Sequence, residues 1–122
     1  MALRNEIGKE GEAIARAYLE KRGYHIRHTN WHYHHFELDI VAVQANELVV
    51  VEVKTRSADF WLEPEMAVNR KKIQRLVTAA DAYVRLFNLD APVRFDIITL
   101  VKDAEGYHIR EHIEDAFYAP GY

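Results

Sequence analysis

Two strand-like segments separated by a short link constrain the fold of this chain more than any other feature. Residues 36–43 alternate apolar and polar side chains, and residues 48–54 are rich in valine, as is typical of β-strands. The link between them is short enough for an antiparallel hairpin. The apolar positions of both strands would then share one face and belong to the core, namely Leu38, Ile40, Ala42, Val49, Val51 and Val53.

The opposite face of this predicted hairpin would be charged. If residues 43 and 48 are opposed, Asp39 falls opposite Glu52 and shares its face. Glu37 then falls opposite Lys54 on that same face, because strand side chains alternate with period two. Opposed carboxylates, with Cβ atoms about 5 Å apart, destabilise a strand pair. The alternative is a solvated strand surface, on which a Glu37–Lys54 ion pair would contribute little.

A divalent cation would remove the repulsion between the two opposed acids. Mg²⁺ binds oxygen ligands and commonly uses one or two carboxylates, so Asp39 and Glu52 are the predicted metal ligands, with the Val53 backbone carbonyl as a third. Lys54 would point to the same side and stabilise charge that develops on a phosphoryl group. Glu12, at the border of the apolar face of a predicted helix, could join as an additional ligand or support one. The predicted catalytic residues are therefore Glu12, Asp39, Glu52 and Lys54.

The remaining segments predict two helices and three further strands. The first helix covers residues 5–22, with Asn5 as N-cap and Gly23 as its stop. The second covers residues 70–88 and is capped by Asn69. Further strands are predicted at 24–29, 93–101 and 107–113, a loop at 55–64 and a tail at 114–122. The order αβββαββ predicts an α/β fold, a mixed β-sheet flanked by helices.

Length and composition limit the classes of protein that fit. The 122 residues predict one domain, 1–122, with a core at about 5–113. The chain has no cysteine, which excludes disulfides and thiolate metal sites and favours a cytoplasmic location. No apolar stretch is long enough to cross a membrane. The net charge of -3 argues against coating nucleic acid by bulk charge, but a local basic rim would still bind phosphates.

Basic residues cluster after the hairpin and at the start of the second helix. They could hold the phosphates of DNA near the acids, or they could form a solvated helix face. The predicted nucleic-acid-binding residues are Arg56, Arg70, Lys71, Lys72 and Arg75.

Histidines and aromatic residues around the hairpin have two interpretations each. The histidines fit solvated side chains better than a Zn²⁺ site, since no thiolate is available and their spacing matches no ligand pattern; they are His25, His28, His32, His34 and His35. For the aromatic side chains, packing at the edge of the core is favoured over stacking on unpaired bases. They are Trp31, Tyr33, Phe60 and Trp61. The role of Asp96 is open.

Three motifs in combination resemble a known family. They are Gly8–Glu12, Phe36–Ala42 and Val51–Arg56. The similarity extends to Ala67–Val68 with Lys71 or Lys72, and to Arg94–Asp96. In all it covers residues 5–101. The pattern is similar to the bacterial YraN-like family of endonuclease-like proteins. That family resembles Holliday-junction resolvases within the PD-(D/E)xK nuclease superfamily.

The resemblance implies a restriction-endonuclease-like fold, a nucleic-acid substrate, and Mg²⁺ or Mn²⁺ as cofactor. It matches Asp39, Glu52 and Lys54 to the metal-binding and catalytic positions of the superfamily, and Glu12 to its helix-borne acid. This chain departs from the family at one position, because it has Phe36 where the family usually has glycine. The larger side chain affects how closely a phosphate backbone could approach the strand there.

Three functions are consistent with these features. The first is a metal-dependent endonuclease that acts on DNA, with branched or structured DNA as one candidate substrate; resolvase-like cutting of two strands would suggest a symmetric homodimer. The second is a non-catalytic nucleic-acid-binding module that retains the nuclease fold. The third is an interaction protein that uses an exposed sheet edge and in which the acids are a solvated surface.

Overall fold

The computed structural model describes the backbone of residues 2–57 and 69–117, with side chains from residue 8 onward within those ranges. Phe60, Trp61 and Ala67–Val68 lie outside the described residues. The elements are α1 (Ala2–Lys21), β1 (His25–Tyr33), β2 (Phe36–Gln44), β3 (Glu47–Ser57), α2 (Arg70–Leu86), β4 (Val93–Asp103) and β5 (Gly106–Ile113). Their order confirms the predicted α/β fold, αβββαββ.

The five strands form one mixed sheet in the order β1-β2-β3-β4-β5. β3 and β4 are parallel, because α2 carries the chain back before β4 begins, and the other neighbours are antiparallel. The β2–β3 register places Val43 opposite Leu48 as predicted. The turn between them has Ala45 and Asn46 at positive φ, 48° and 69°, as a type I′ hairpin turn requires.

The sheet is buried on both faces because each helix covers one of them. Ala15 and Leu19 of α1 pack on Val49 and Val51 of β3. On the other face, α2 packs on the alternate positions of the same strands, with Leu76, Val77, Ala79, Ala80 and Tyr83 against Val41, Leu48 and Val50. Within the described ranges, neither helix has the length and hydropathy that crossing a bilayer requires.

The prediction that Leu38 lies on the same face as Ile40 is wrong. Leu38 packs in the α2 cluster, whereas Ile40 packs in the α1 cluster. The alternation of β2 breaks at Asp39, which lies between the paired residues Ile40 and Leu38 but is itself not paired with β1. Its carboxylate accepts a hydrogen bond from the Val53 N–H of β3.

The helix ends follow from capping residues. Asn69 Oδ1 accepts from the backbone N–H of Lys72 at 2.9 Å, which confirms the predicted cap of α2. Gly23, at φ 88°, follows the last turn of α1 as predicted. Asn5 is not the cap of α1, because that helix already begins at Ala2.

Strand lengths exceed the prediction most in β1 and β3. β1 runs to Tyr33, four residues beyond the predicted end at residue 29, because these residues pair with β2 up to Phe36. β3 runs to Ser57 because its parallel ladder with β4 continues to that residue. Beyond β5, Ala116 donates its N–H to the Phe95 carbonyl at 2.7 Å.

Gly11 allows α1 to lie close to the end of β3. A Cβ at residue 11 would collide with the Thr55 hydroxyl, while a Cβ at Gly8 would meet no atom within 4 Å. This close approach brings the next residue, Glu12, over the sheet. The helix is therefore positioned by the absence of a side chain at one residue.

Gly11→Ala should lower the free energy of unfolding by about 1–3 kcal/mol, the usual cost of overpacking. The loss is expected although alanine favours helix formation by about 1 kcal/mol over glycine. Urea denaturation measures it, with Gly8→Ala as the matched control, which should be neutral or stabilising. Equal stability of the two variants would contradict a close contact between α1 and β3.

Candidate metal centre

The candidate site lies where β2 and β3 separate. Their paired residues run from Gln44–Glu47 to Ile40–Val51 and stop there. β2 nevertheless continues to pair with β1 as far as Phe36, and β3 with β4 as far as Ser57. The two strands therefore form a fork, and Asp39 and Glu52 are the first residues beyond its closed end.

The Asp39 side chain takes the place of a β2 backbone partner for β3 at the fork. Its Oδ2 accepts a hydrogen bond from the backbone N–H of Val53 at 2.9 Å. Because the N–H and C=O of one strand residue point to the same edge, the Val53 carbonyl also faces the fork. This geometry places both oxygen donors predicted at this point, the Asp39 carboxylate and the Val53 carbonyl, on the same opening.

Two further acids meet Asp39 at the fork. Carboxylate oxygens of Glu12, Glu37 and Asp39 all lie within 4.8 Å of one another. Glu12 comes from α1, and the other two come from β2. The helix-borne acid therefore reaches the site as predicted, and Glu37 joins it rather than pairing with Lys54.

Burial and mutual repulsion disfavour ionisation of these acids. Burial is the largest cause of a pKa of Asp39 well above its usual range, followed by the charge of Glu52. Burial likewise raises the pKa of Glu12, and the charges of Glu37 and Glu52 raise it further. Excess negative charge in one place is the electrostatic condition that a bound cation relieves.

Glu52 is 3% exposed, and its two oxygens have different surroundings. Oε1 lies 3.5 Å from Lys54 Nζ and 3.7 Å from Lys72 Nζ. Oε2 is buried and has no hydrogen-bond partner. Buried polar atoms are seldom left unsatisfied in native proteins, so an unpartnered carboxylate oxygen is consistent with a position for a metal ligand.

Comparison with known proteins places the chain in a family. A family model matches residues 11–100, and it is described as the uncharacterised protein family UPF0102. The chain belongs to this family. The match confirms the YraN-like resemblance at the level of the family, and it spans Glu12, Asp39, Glu52 and Lys54.

Relatives of this UPF0102 chain match over almost its whole length. A UPF0102 protein of Parabacteroides distasonis is 67% identical over 120 residues, covering 98% of each chain. One from Bacteroides thetaiotaomicron is 58% identical over 120 residues, with the same coverage. One from Flavobacterium psychrophilum is 47% identical over 118 residues, covering 97% of this chain and 98% of the relative.

The five basic residues of the UPF0102 chain occupy different environments. Lys72 is half-buried and turned towards Glu52, whereas Arg70, Lys71 and Arg75 are exposed on α2. Arg56 is half-buried, and its Nη1 donates to the Thr55 carbonyl at 3.2 Å. The exposed three are therefore open to an external phosphate, and Lys72 borders the acids themselves.

The histidines and aromatic residues near the fork are only partly solvated. The ring nitrogen Nδ1 of His28 lies 2.6 Å from Tyr83 Oη, so the interpretation of His28 as solvated is wrong; it supports the core edge. Trp31 also closes that edge, with its ring centroid 5.0 Å from that of Tyr83. Phe36 packs on the same cluster, because strand alternation turns it away from the face of Glu37.

Asp96 belongs to a separate buried network that holds the sheet together. It is 1% exposed and accepts from Arg94 Nε and Nη2, both at 2.9 Å. His112 Nε2 lies 2.8 Å from its second oxygen, and the Asp115 N–H donates to the first at 3.0 Å. Burial opposes ionisation, but these bonds outweigh it and keep the pKa of Asp96 below its usual range.

Two residues of the site have a role that the sequence did not predict. Strand alternation predicts Glu37 on the face of Asp39, but its proximity to Glu12 of α1 had no sequence signal. Lys72 was predicted as a phosphate ligand, and its position beside Glu52 had no sequence signal. That position depends on how α2 is placed against β3, which no local pattern specifies.

Proposed function

We propose that this UPF0102 protein is a metal-dependent nuclease of the PD-(D/E)xK type that hydrolyses phosphodiester bonds in DNA. The supporting observation is the fork itself, where Asp39 and Glu52 follow the last β2–β3 pair and Glu52 Oε1 lies 3.5 Å from Lys54 Nζ. A structural surface has no need for a buried carboxylate oxygen without a partner. The same oxygen is explained if it is a ligand of a divalent cation.

The donor set fits a hard cation. Asp39 and Glu52 supply carboxylate oxygens and Val53 supplies a carbonyl oxygen, and Mg²⁺ or Mn²⁺ prefers oxygen ligands of these kinds. When bound, such an ion would polarise the phosphodiester and stabilise negative charge on its oxygens. Glu12 and Glu37 would add charge that strengthens the attraction for the ion.

Lys54 would act on the reacting phosphate. Its ammonium has three donors, and its 3.5 Å distance from Glu52 Oε1 keeps it beside the carboxylate without burying it. It would orient a water molecule and stabilise the charge that develops on phosphorus. The water oxygen would then bond to phosphorus and lose a proton to solvent, while the bond to the leaving sugar oxygen would break and that oxygen would take a proton from solvent.

DNA would approach the fork from the side of α2. Arg70, Lys71 and Arg75 are exposed there, and each could neutralise a phosphate. Lys72 would pair with Glu52, whose Oε1 lies 3.7 Å from its ammonium, and would contact a phosphate of the DNA when the substrate is bound. Salt-sensitive DNA binding is therefore expected whether or not a metal is present.

Glu52→Gln should reduce cleavage by roughly 10²–10³-fold, because it removes a charge that stabilises the ion while preserving side-chain shape. Cleavage of branched, single-stranded and duplex DNA is measured with Mg²⁺ or Mn²⁺ and again with a chelator. Glu111→Gln, at an exposed position on β5, is the matched control and should retain wild-type rates.

A non-catalytic binding module is the competing function. The two ammonium groups beside Glu52 Oε1 favour it, since they partly neutralise the acid without a metal. It predicts that wild-type protein binds DNA in a salt-sensitive manner and cleaves none of the three substrates with either ion. That result would refute the nuclease proposal.

A further inference from the structure

We infer that Tyr18 is the nucleophile of a second reactive site, in which His112 takes its proton and Asp96 orients the imidazole. This site would transfer an acyl group from a small ester to the Tyr18 oxygen. It lies in a cleft of about 390 Å³ between α1, the start of β1 and the end of β5. The cleft is lined by Tyr18, Arg22, Tyr24, Gln44, His112 and Glu114.

The cleft is separate from the fork. Gln44 pairs with Glu47 beside the hairpin turn, whereas the β2–β3 ladder ends at Ile40–Val51. Four residue steps separate these two pairs, which is about 13 Å along a strand. The inference therefore goes beyond the proposed nuclease function and does not depend on it.

Asp96, His112 and Tyr18 form a continuous chain of hydrogen bonds that ends at the cleft. Asp96 Oδ2 lies 2.8 Å from His112 Nε2, and His112 Nδ1 lies 3.1 Å from Tyr18 Oη. The side chain of Asp96 is fully buried and that of His112 is 8% exposed, so little solvent competes for these bonds. A nucleophile within hydrogen-bond reach of a base, which a third group orients in turn, is the arrangement of an activated nucleophile.

The Asp96 carboxylate determines which nitrogen of His112 carries a proton. Burial opposes ionisation of Asp96, but its bonds to His112 and Arg94 keep its pKa below the usual range. An ionised carboxylate only accepts hydrogen bonds, so His112 Nε2 carries the proton. In the neutral ring Nδ1 is then the acceptor, and Tyr18 donates its O–H to it. Transfer of that proton to Nδ1 would leave a nucleophilic oxygen at the cleft.

Arg22 places a positive charge beside the Tyr18 ring. Its guanidinium carbon lies 4.4 Å from the centre of that ring. Arg16 and Arg85 each form an ion pair, whereas Arg22 forms none with a carboxylate in the described parts of the chain. Its charge would attract the negative charge that develops on the Tyr18 oxygen. Its N–H groups would also stabilise the oxyanion that forms when the ester carbonyl is attacked.

The reaction balances as an acyl transfer. The Tyr18 oxygen would bond to the carbonyl carbon of the ester while its proton passes to His112 Nδ1. The bond from that carbon to the leaving oxygen would then break, and His112 would give the proton to the leaving oxygen. Water would later hydrolyse the tyrosyl ester, which releases the acid and restores the Tyr18 O–H.

A bound metal ion fits these residues less well. Asp96, His112 and Glu114 each offer an atom within 4.8 Å of the others. The Arg94 guanidinium, however, already lies 2.9 Å from Asp96 and 3.6 Å from Glu114, and its charge opposes binding of a cation. Proton transfer is therefore the chemistry that the charges around His112 favour.

The probe for the full chain is p-nitrophenyl acetate, with a chelator present throughout. The wild type should release a burst of about one p-nitrophenolate per chain and carry an acetyl group on Tyr18, which peptide mass spectrometry locates. Tyr18→Phe should lose the burst. His112→Gln should slow acetylation of Tyr18 by roughly 10²-fold, a usual contribution of a general base. His108→Gln is the matched control, since His108 is exposed on β5 beside Asp103 at 3.1 Å, and it should react at the wild-type rate.

Comparison of Tyr18 with Tyr33 in the wild type separates activation from exposure. Tyr33 is 38% exposed, whereas Tyr18 is half-buried, so a reagent limited by access alone would label Tyr33 first. Faster acetylation of Tyr18 would support the inference. Equal or slower acetylation of Tyr18, or an unchanged rate in folded His112→Gln, would overturn it and show that the hydrogen-bond chain is only structural. Neither result bears on the nuclease proposal, because no divalent ion is available in this experiment.

Discussion

Asp39→Asn is expected to abolish metal-dependent cleavage and, at neutral pH, to stabilise the folded protein. Cleavage should fall on the order of 10³-fold, because the residue would ligate the ion that polarises the substrate. Stability should rise because the substitution removes a buried negative charge beside Glu52. Asparagine retains an oxygen that can accept from the Val53 N–H, a bond of 2.9 Å in the wild type.

The pH dependence of this stabilisation has a definite sign. The pKa of Asp39 is raised well above its usual range, so the folded state binds a proton there more tightly than the unfolded chain. Wild-type stability therefore falls as pH rises between the unfolded and folded pKa values. The advantage of Asp39→Asn should be absent below the unfolded pKa of the residue and grow, to about 1 kcal/mol, as pH rises above it.

Urea denaturation in metal-free buffer across that pH range measures the difference. Asp90→Asn is the control, since Asp90 is exposed between α2 and β4, and its effect should not change with pH in this way. Mn²⁺ should stabilise the wild type more than Asp39→Asn, because a ligand that binds only the folded state adds to its stability. Lower stability of Asp39→Asn at every pH would contradict the proposed charge repulsion.

Arg94→Met is expected to produce the largest loss of stability. It leaves Asp96, which is 1% exposed, without the guanidinium that contacts both of its oxygens at 2.9 Å. Removing one partner of a buried ion pair costs about 3–5 kcal/mol. The same guanidinium also donates to Tyr24 Oη at 2.8 Å, so the loss would extend to the junction of α1 and β1.

Thermal and urea unfolding of Arg94→Met measure this effect against Arg85→Met. Arg85 also pairs with an aspartate, Asp81 at 3.2 Å, but it is 79% exposed, and exposed pairs of this kind contribute about 0.3–0.5 kcal/mol. A difference of less than 1 kcal/mol between the two variants would show that the Asp96 network is not a stabilising element. Mn²⁺ binding by Arg94→Met should persist at temperatures where the variant is folded.

Local sequence patterns predicted much of the fold because they reflect local physics. The period-two alternation of β2 and the valine-rich β3 predicted the hairpin, and its register was correct at Val43–Leu48. The capping oxygen of Asn69 marked the start of α2. These features depend on residues near one another in the chain, so they can be derived without tertiary contacts.

Other features required contacts between distant segments. The alternation of β2 breaks at Asp39, whose carboxylate bonds to the Val53 N–H, and Leu38 lies on the other face from Ile40. The depth of α1 over the sheet depends on the fit of Gly11 to Thr55, 44 positions later in the numbering. Neither effect has a signature in the hydrophobic pattern.

The sequence by itself determined that Asp39, Glu52 and Lys54 lie on adjacent strands, because strand alternation and a short hairpin set their spacing. Only the tertiary structure decided that β2 and β3 separate at these acids, and that Glu12, Glu37 and Lys72 converge on the opening. The fork exists because the β1–β2 and β3–β4 ladders continue beyond Ile40–Val51, where the β2–β3 ladder ends. Local sequence patterns therefore predict several of the residues of the candidate site, but their convergence depends on contacts between distant segments.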